Sequence, residues 1–128
     1  MSVLVVGSSE PVGALTSALA GLGVEAEARL LGSPGGSSAE ALAEALVEVE
    51  RLVVENEPQG IVAVGPGDAA TAAALVAGKT AVRLILLAEP GELDDEGGAV
   101  AELSAQRLPL PHGEAEIVLV AEAIASAL

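Results

Sequence analysis

Residues 60–71 (Gly60-Ile61-Val62-Ala63-Val64-Gly65-Pro66-Gly67-Asp68-Ala69-Ala70-Thr71) constrain the fold more than any other stretch of this chain. Ile61, Val62, Ala63 and Val64 form an apolar run with no polar alternation. Such a run reads as a strand buried on both faces, the environment of a parallel sheet covered by helices. Gly65-Pro66-Gly67 forces a tight turn. Asp68 is a candidate N-cap for the alanine-rich helix that follows. Strand–turn–helix units of this kind build α/β folds and place ligands at their turns.

The rest of the chain repeats the alternation. Residues 3–6 are a second short Val-rich run, ended by Gly7-Ser8-Ser9-Glu10-Pro11. Ser9 or Glu10 can cap the next helix, with Pro11 in its first turn, where a missing N–H costs little. Val12, Leu15, Leu19 and Leu22 give that helix an apolar face, and Gly21 and Gly23 stop it. Residues 24–31 alternate: Val24, Ala26, Ala28 and Leu30 on one side, Glu25, Glu27 and Arg29 on the other, as in a strand near a sheet edge with one wet face. After the Gly32-Ser33-Pro34-Gly35-Gly36 loop, Ser37 and Glu40 form a capping box. The helix they open carries an apolar stripe of Leu42, Leu46, Val49 and Val53. Glu40, Glu44, Glu48, Arg51 and Glu55 run down its solvated side, and Asn56-Glu57-Pro58-Gln59 stops it.

Residues 69–77 form the alanine-rich helix, closed at Gly78; it is either packed tightly within the fold or part of a subunit contact. A fourth strand spans 81–87. A helix over 95–106 is weakened by Gly97-Gly98. The prolines of Leu108-Pro109-Leu110-Pro111 restrict a fifth strand to a sheet edge. Residues 114–128 place Ile117, Val120, Ala121, Ile124 and Leu128 on one helical face, although residues 117–120 also read as a strand. The order βαβαβαβαβα, joined by right-handed crossovers, predicts a three-layer α/β/α sandwich. Its five-stranded, mainly parallel, doubly wound sheet is of the Rossmann or flavodoxin type, in a single domain over residues 1–128.

Composition narrows function by exclusion. The chain has 128 residues, enough for one core, and is 52% hydrophobic, so that core needs neither disulfide nor metal. It contains no Phe, Tyr, Trp or Cys, which removes aromatic stacking platforms and thiolate chemistry. Five Lys and Arg against 19 Asp and Glu give a net charge of −14, which opposes nucleic-acid binding and reads as a solvated acidic surface. The N-terminal apolar run is too short for a signal peptide, and no run approaches the ~20 residues of a membrane span. A cytoplasmic location, with no membrane partner, cofactor or metal, is the expectation.

With flavodoxin-like strand order 2-1-3-4-5, the switch point lies between strands one and three. The two loops there contain the candidate ligand-binding residues Gly7, Ser8, Ser9, Glu10, Gly65, Gly67, Asp68 and Thr71. Each loop leads into a helix N-terminus, where free N–H groups favour an anion. Gly7 and Gly13 have the outer spacing of a G-x-x-G-x-x-G turn, but Glu10 fills its middle. No Lys-Ser/Thr follows Gly67, so this is not a P-loop. Glu10 and Asp68 oppose a phosphate, and the plainer reading is that the glycines make turns and Asp68 caps its helix. Glu10, Asp68 and Glu89 are candidates for acid–base chemistry should they converge. His112 reads as a surface residue, Asp94-Asp95-Glu96 as a solvated first turn, and Lys79 and Arg83 as ion-pairing or solubilising cations on the far side of the sheet.

Over residues 37–92 the pattern resembles the N-terminal half of UDP-N-acetylglucosamine 2-epimerases and related GT-B glycosyltransferases. In that family a long amphipathic helix ends in an acid-x-Pro-Asp pattern; a strand, Gly-Asp, an Ala-rich helix and another strand follow. The corresponding places here read Glu57-Pro58-Gln59, residues 61–64, Gly67-Asp68, residues 69–77 and residues 82–87. Gly7-Ser8-Ser9-Glu10-Pro11 is similar to the family's Gly-Thr-Arg-Pro-Glu turn but lacks its Arg. The family's Pro-Glu-Glu and Asn-Arg stretch is replaced by residues 93–98, and its nucleotide-holding second domain has no counterpart here. The resemblance implies a degenerate relative that binds a small anionic ligand, a nucleotide sugar, without catalysis. The alternative is an interaction module that self-associates through its Ala-rich and final helices. Length and element order also resemble a receiver domain, but Val64-Gly65 stands where its phosphoacceptor Asp would be.

Overall fold

The computed structural model describes residues 2–7, 12–31, 39–65, 67–88 and 105–128. Their elements run β1 (Ser2–Gly7), α1 (Val12–Gly21), β2 (Glu25–Leu30), α2 (Ala39–Asn56), β3 (Gly60–Val64), α3 (Asp68–Thr80), β4 (Arg83–Ala88), β5 (Ala105–Pro109) and α4 (Glu114–Ala127). The five strands form one sheet in the order β2-β1-β3-β4-β5. Every neighbouring pair is parallel. This is the doubly wound sheet expected from the sequence, and its switch point falls between β1 and β3.

The period of two along each strand divides the core into two layers. Leu4, Val6, Ile61, Ala63, Leu84 and Leu86 face α2 and α3, where they meet Val49, Leu52 and the α3 alanines. Val3, Val5, Val62, Val64, Ile85 and Leu87 face the other way, against Leu15 and Leu19 of α1 and Val120, Ala121 and Ile124 of α4. A strand apolar at every position is thus what a sheet covered on both sides requires. With no aromatic side chain to fill space, α3 lies against the sheet through buried Ala69, Ala70, Ala72, Ala73, Ala74 and Ala77. The alanine-rich helix is therefore packed within the fold.

Several local readings are corrected. α3 does not close at Gly78; it continues to Thr80, and Ala81 takes the left-handed conformation after it. Thr80 supports this last turn by donating its hydroxyl to the Val76 carbonyl at 2.7 Å. Residues 105 and 106, assigned to a helix, belong to β5, which lies at the sheet edge and ends on Pro109. At an edge the missing proline N–H removes no ladder bond. Residues 117–120 are helical within α4, because the three-and-four spacing buries Val120, Ala121 and Ile124 together. Leu22 lies beyond α1 and is exposed, as is Leu30 at the end of the edge strand β2.

Helix ends follow the expected signals elsewhere. Gly23, at φ 82, takes the left-handed turn after α1. Its N–H donates to the Ala20 carbonyl at 3.1 Å and that of Val24 to the Leu19 carbonyl at 3.0 Å. α2 stops at Glu57, also left-handed at φ 45, whose N–H donates to the Val53 carbonyl at 2.9 Å. Arg51 bridges Glu48 and Glu55 on the solvated face of α2. Ser37 of the capping box and the predicted helix over residues 95–104 lie outside the described residues. No helix among the described residues is long and apolar enough to cross a membrane.

Candidate functional site

The switch point is built from the carboxyl ends of the two central strands. Gly7 ends β1 opposite Val64, the last residue of β3. There is no room for a side chain at Gly7: a Cβ would stand 2.7 Å from Val12 Cγ2 and 3.1 Å from Val64 Cβ. Gly7 therefore lets the first turn of α1 and the end of β3 close over the top of β1. Two bonds level this rim: the Leu31 N–H donates to the Gly7 carbonyl and the Gly65 N–H to the Leu87 carbonyl, each at 2.7 Å.

The turn after β3 needs its glycines for a different reason. Gly65 has φ 77 and Gly67 φ 119, both left of the range that L side chains tolerate, and a Cβ at either would meet open space. The double reversal ends at Gly67, which occupies the N-cap position of α3 with no side-chain cap bond. Asp68 is thus not the cap; it is the first residue of the helix. Thr71 donates its N–H to the Gly67 carbonyl at 3.1 Å and its hydroxyl to the same oxygen at 3.2 Å. Its hydroxyl proton is spent within its own turn. The N–H groups of Asp68, Ala69 and Ala70 precede this first helical bond and have no acceptor inside the helix.

The burial of Asp68 is the feature that sequence reasoning missed. This aspartate is only 8% exposed and is the one buried polar or charged side chain among the described residues. Its Oδ2 is sealed from solvent and has no hydrogen-bond partner among the described residues. A buried polar oxygen without a donor costs on the order of 1–3 kcal/mol, so proteins seldom retain one without a use. The signal available in the sequence was the run of small residues after Asp68: alanines pack close to the sheet and draw the first turn inward with them.

The site therefore offers a carboxylate that accepts hydrogen bonds beside a helix terminus that donates them. A hydroxyl or amide matches the first and a phosphate oxygen the second. Of the predicted ligand residues, Gly7, Gly65, Gly67, Asp68 and Thr71 come together at this rim. Ser8, Ser9 and Glu10 lie outside the described residues, as do Glu89 and the Asp94-Asp95-Glu96 run. Arg83 starts β4 at the opposite end of the sheet, where its guanidinium donates to the Ala127 carbonyl. His112 is exposed just before α4. Among the described residues no group of three or more His, Asp or Glu side chains is placed to hold a metal ion.

A five-stranded parallel sheet in the order 2-1-3-4-5, with helices on both faces and a glycine turn at its switch point, defines a Rossmann-like α/β domain. No protein-family model matches the sequence, and no curated protein matches it either. Solved structures do. The domain superposes on Methanocaldococcus jannaschii UDP-GlcNAc 2-epimerase, solved with UDP-GlcNAc and UDP, with a TM-score of 0.68 at 16% identity, covering 96% of this chain and 44% of that one. Staphylococcus aureus MnaA, solved with UDP, gives 0.70 at 13% identity over 94% of this chain and 40% of that one. The Neisseria meningitidis UDP-GlcNAc 2-epimerase bound to UDP-GlcNAc gives 0.65 at 14% identity, over 96% and 43%. The chain thus spans less than half the length of these enzymes. Identities this low establish a shared fold, in keeping with the N-terminal, GT-B-like domain to which the residues at 7–11 and 37–92 point.

Proposed function

We propose that this domain binds a small ligand of the nucleotide-sugar class in the crevice at the carboxyl ends of β1 and β3, and does so without catalysis of its own. The observation that carries the reading is the buried, unpartnered Oδ2 of Asp68 at the switch point. A sugar hydroxyl or N-acetyl amide entering as the first turn of α3 shifts to uncover this oxygen supplies the donor it lacks, and the first amides of α3 donate to a phosphate oxygen. The ligands present in the similar solved structures, UDP-GlcNAc and UDP, carry both kinds of group. The groups described at this rim, a helix terminus beside a carboxylate, are binding groups, and binding rather than turnover is the role proposed for them.

Isothermal calorimetry against UDP-GlcNAc, UDP, GlcNAc and inorganic phosphate at near-physiological salt tests the reading. Heat is expected with UDP-GlcNAc, with weaker binding of its fragments. Absence of heat with every member of the panel rejects the proposal.

A second reading, self-association, is favoured by Val118 and Leu119, which α4 presents to solvent. Since the α3 alanines are occupied within the fold, α4 alone carries it. A molar mass fixed at the monomer value across a wide concentration range excludes it.

A further inference from the structure

A second feature lies far from the switch point, on the outer face of α2 and α3. α2 turns Val47 and Val54 to solvent at 69% and 70% exposure, and α3 adds Leu75 beside them. Ala43, Val47, Glu50 and Val54 succeed one another at intervals of four, three and four, the spacing with which a helix forms a seam against another helix. Two hollows adjoin along this line and share Val47. One, of about 280 Å³, lies between α2 and α3 and is lined by Val47, Glu50, Leu75 and Lys79 among others. The other, of about 360 Å³, is bounded by Ala43, Val47 and three carboxylates: Glu40, Glu44 and Glu48.

The charge around this seam selects its occupant. Glu40, Glu44 and Glu50 border the two hollows against the single ammonium of Lys79, while the fourth carboxylate, Glu48, is paired with Arg51 and Arg29. Arg51, the cation nearest in sequence, bridges Glu48 and Glu55. Those hydrogen bonds, to Glu48 first and then Glu55, raise its pKa above the ordinary guanidinium value and keep it charged and engaged. A second copy packed on the same face brings its own Glu40, Glu44 and Glu50 against these, which like-charge repulsion disfavours. An apolar stripe with an acidic border is complementary to a helix whose apolar stripe has a basic border.

We propose that the outer face of α2 and α3 is a docking surface for a basic amphipathic helix of another protein. The seam, with Val47 at its centre, receives the apolar side chains, and the carboxylates fix orientation through the partner's Lys or Arg. This proposal is independent of ligand binding at the switch point.

The test uses a synthetic Leu–Lys amphipathic peptide of about 14 residues, four helical turns. A scrambled peptide of identical composition, unable to form a stripe, is the control. Backbone amide shifts of the isotopically labelled chain report where each binds. Perturbation is expected along α2 and the second half of α3, with weaker binding at raised salt and little response to the scrambled peptide. Val47→Ser with Val54→Ser is expected to weaken binding at least about tenfold with an unchanged melting temperature, since both side chains are exposed and bury their apolar area only on docking. Leu119→Ser on α4 leaves it intact. Equal binding of the scrambled peptide, shifts spread over the other acidic surfaces, or no loss in the double variant overturns the proposal. So does a dimer, seen in sedimentation, that dissociates in the double variant, because the face then belongs to a second copy.

Discussion

Gly7, at the end of β1, and Asp68, at the start of α3, respond to opposite demands. Asp68 holds an unpartnered oxygen inside the fold, so its presence weakens the free domain. Asp68→Asn removes the desolvation cost of the charge and is expected to raise the melting temperature, by a gain of about 1 kcal/mol. It is also expected to weaken sugar-nucleotide binding at least about tenfold, as the charge-assisted bond is lost. A variant that loses stability and keeps affinity shows that Asp68 is structural. Gly7 answers a packing demand. Gly7→Ala drives a methyl against Val12 and the end of β3, and the expected loss is about 1–3 kcal/mol, several degrees in thermal denaturation. Neutrality there means that α1 shifts outward freely.

At the scale of elements, what was legible in the sequence followed from periodicity. Apolar runs announced β1, β3 and β4, and the alternation with helices announced a doubly wound parallel sheet, while the order 2-1-3-4-5 was taken from flavodoxin-like sheets. The missed details share one cause: neighbouring residues that satisfy two local rules at once. Gly67-Asp68 fits a helix start with either residue as the cap, and only the positive φ of Gly67 decides for Gly67. Ile117-Val118-Leu119-Val120 fits a strand or a helix; the contact of α4 with α1 decides. The alanines after Asp68 hinted at a close approach to the sheet, but how far Asp68 is drawn inward depends on packing between elements distant in sequence. α2 tests the distinction between its faces. Leu52 is 1% exposed and Val54 is 70% exposed, two positions apart on one helix. Leu52→Ala is expected to cost about 2–5 kcal/mol. Val54→Ala, which leaves no cavity, is expected to change stability by less than about 0.5 kcal/mol. Similar losses at both positions would mean that Val54 is covered in solution.

For the molecule as a whole, charge sets the main external dependence. A net charge of −14 on 128 residues makes the surface repel itself in the folded state, where the carboxylates are held close together. Salt shortens the range of that repulsion to about 10 Å at 0.1 M. The melting temperature is therefore expected to rise between ~0.02 and ~0.5 M sodium chloride; a flat or falling profile would mean that specific ion pairs, such as those of Arg51, outweigh the excess. The strand order has a consequence of another kind, in time rather than energy. β1 lies inside the sheet, between β2 and β3. Its bond from Ser2 reaches Gln59, 57 residues further along. At ~5–20 residues per second, a ribosome delivers that partner on the order of 3–11 s after β1 itself. During that interval the nascent chain can pair β1 with β2, yet one flank of this apolar strand remains open, so the pace of translation and the supply of chaperones govern how much of this protein escapes aggregation at birth.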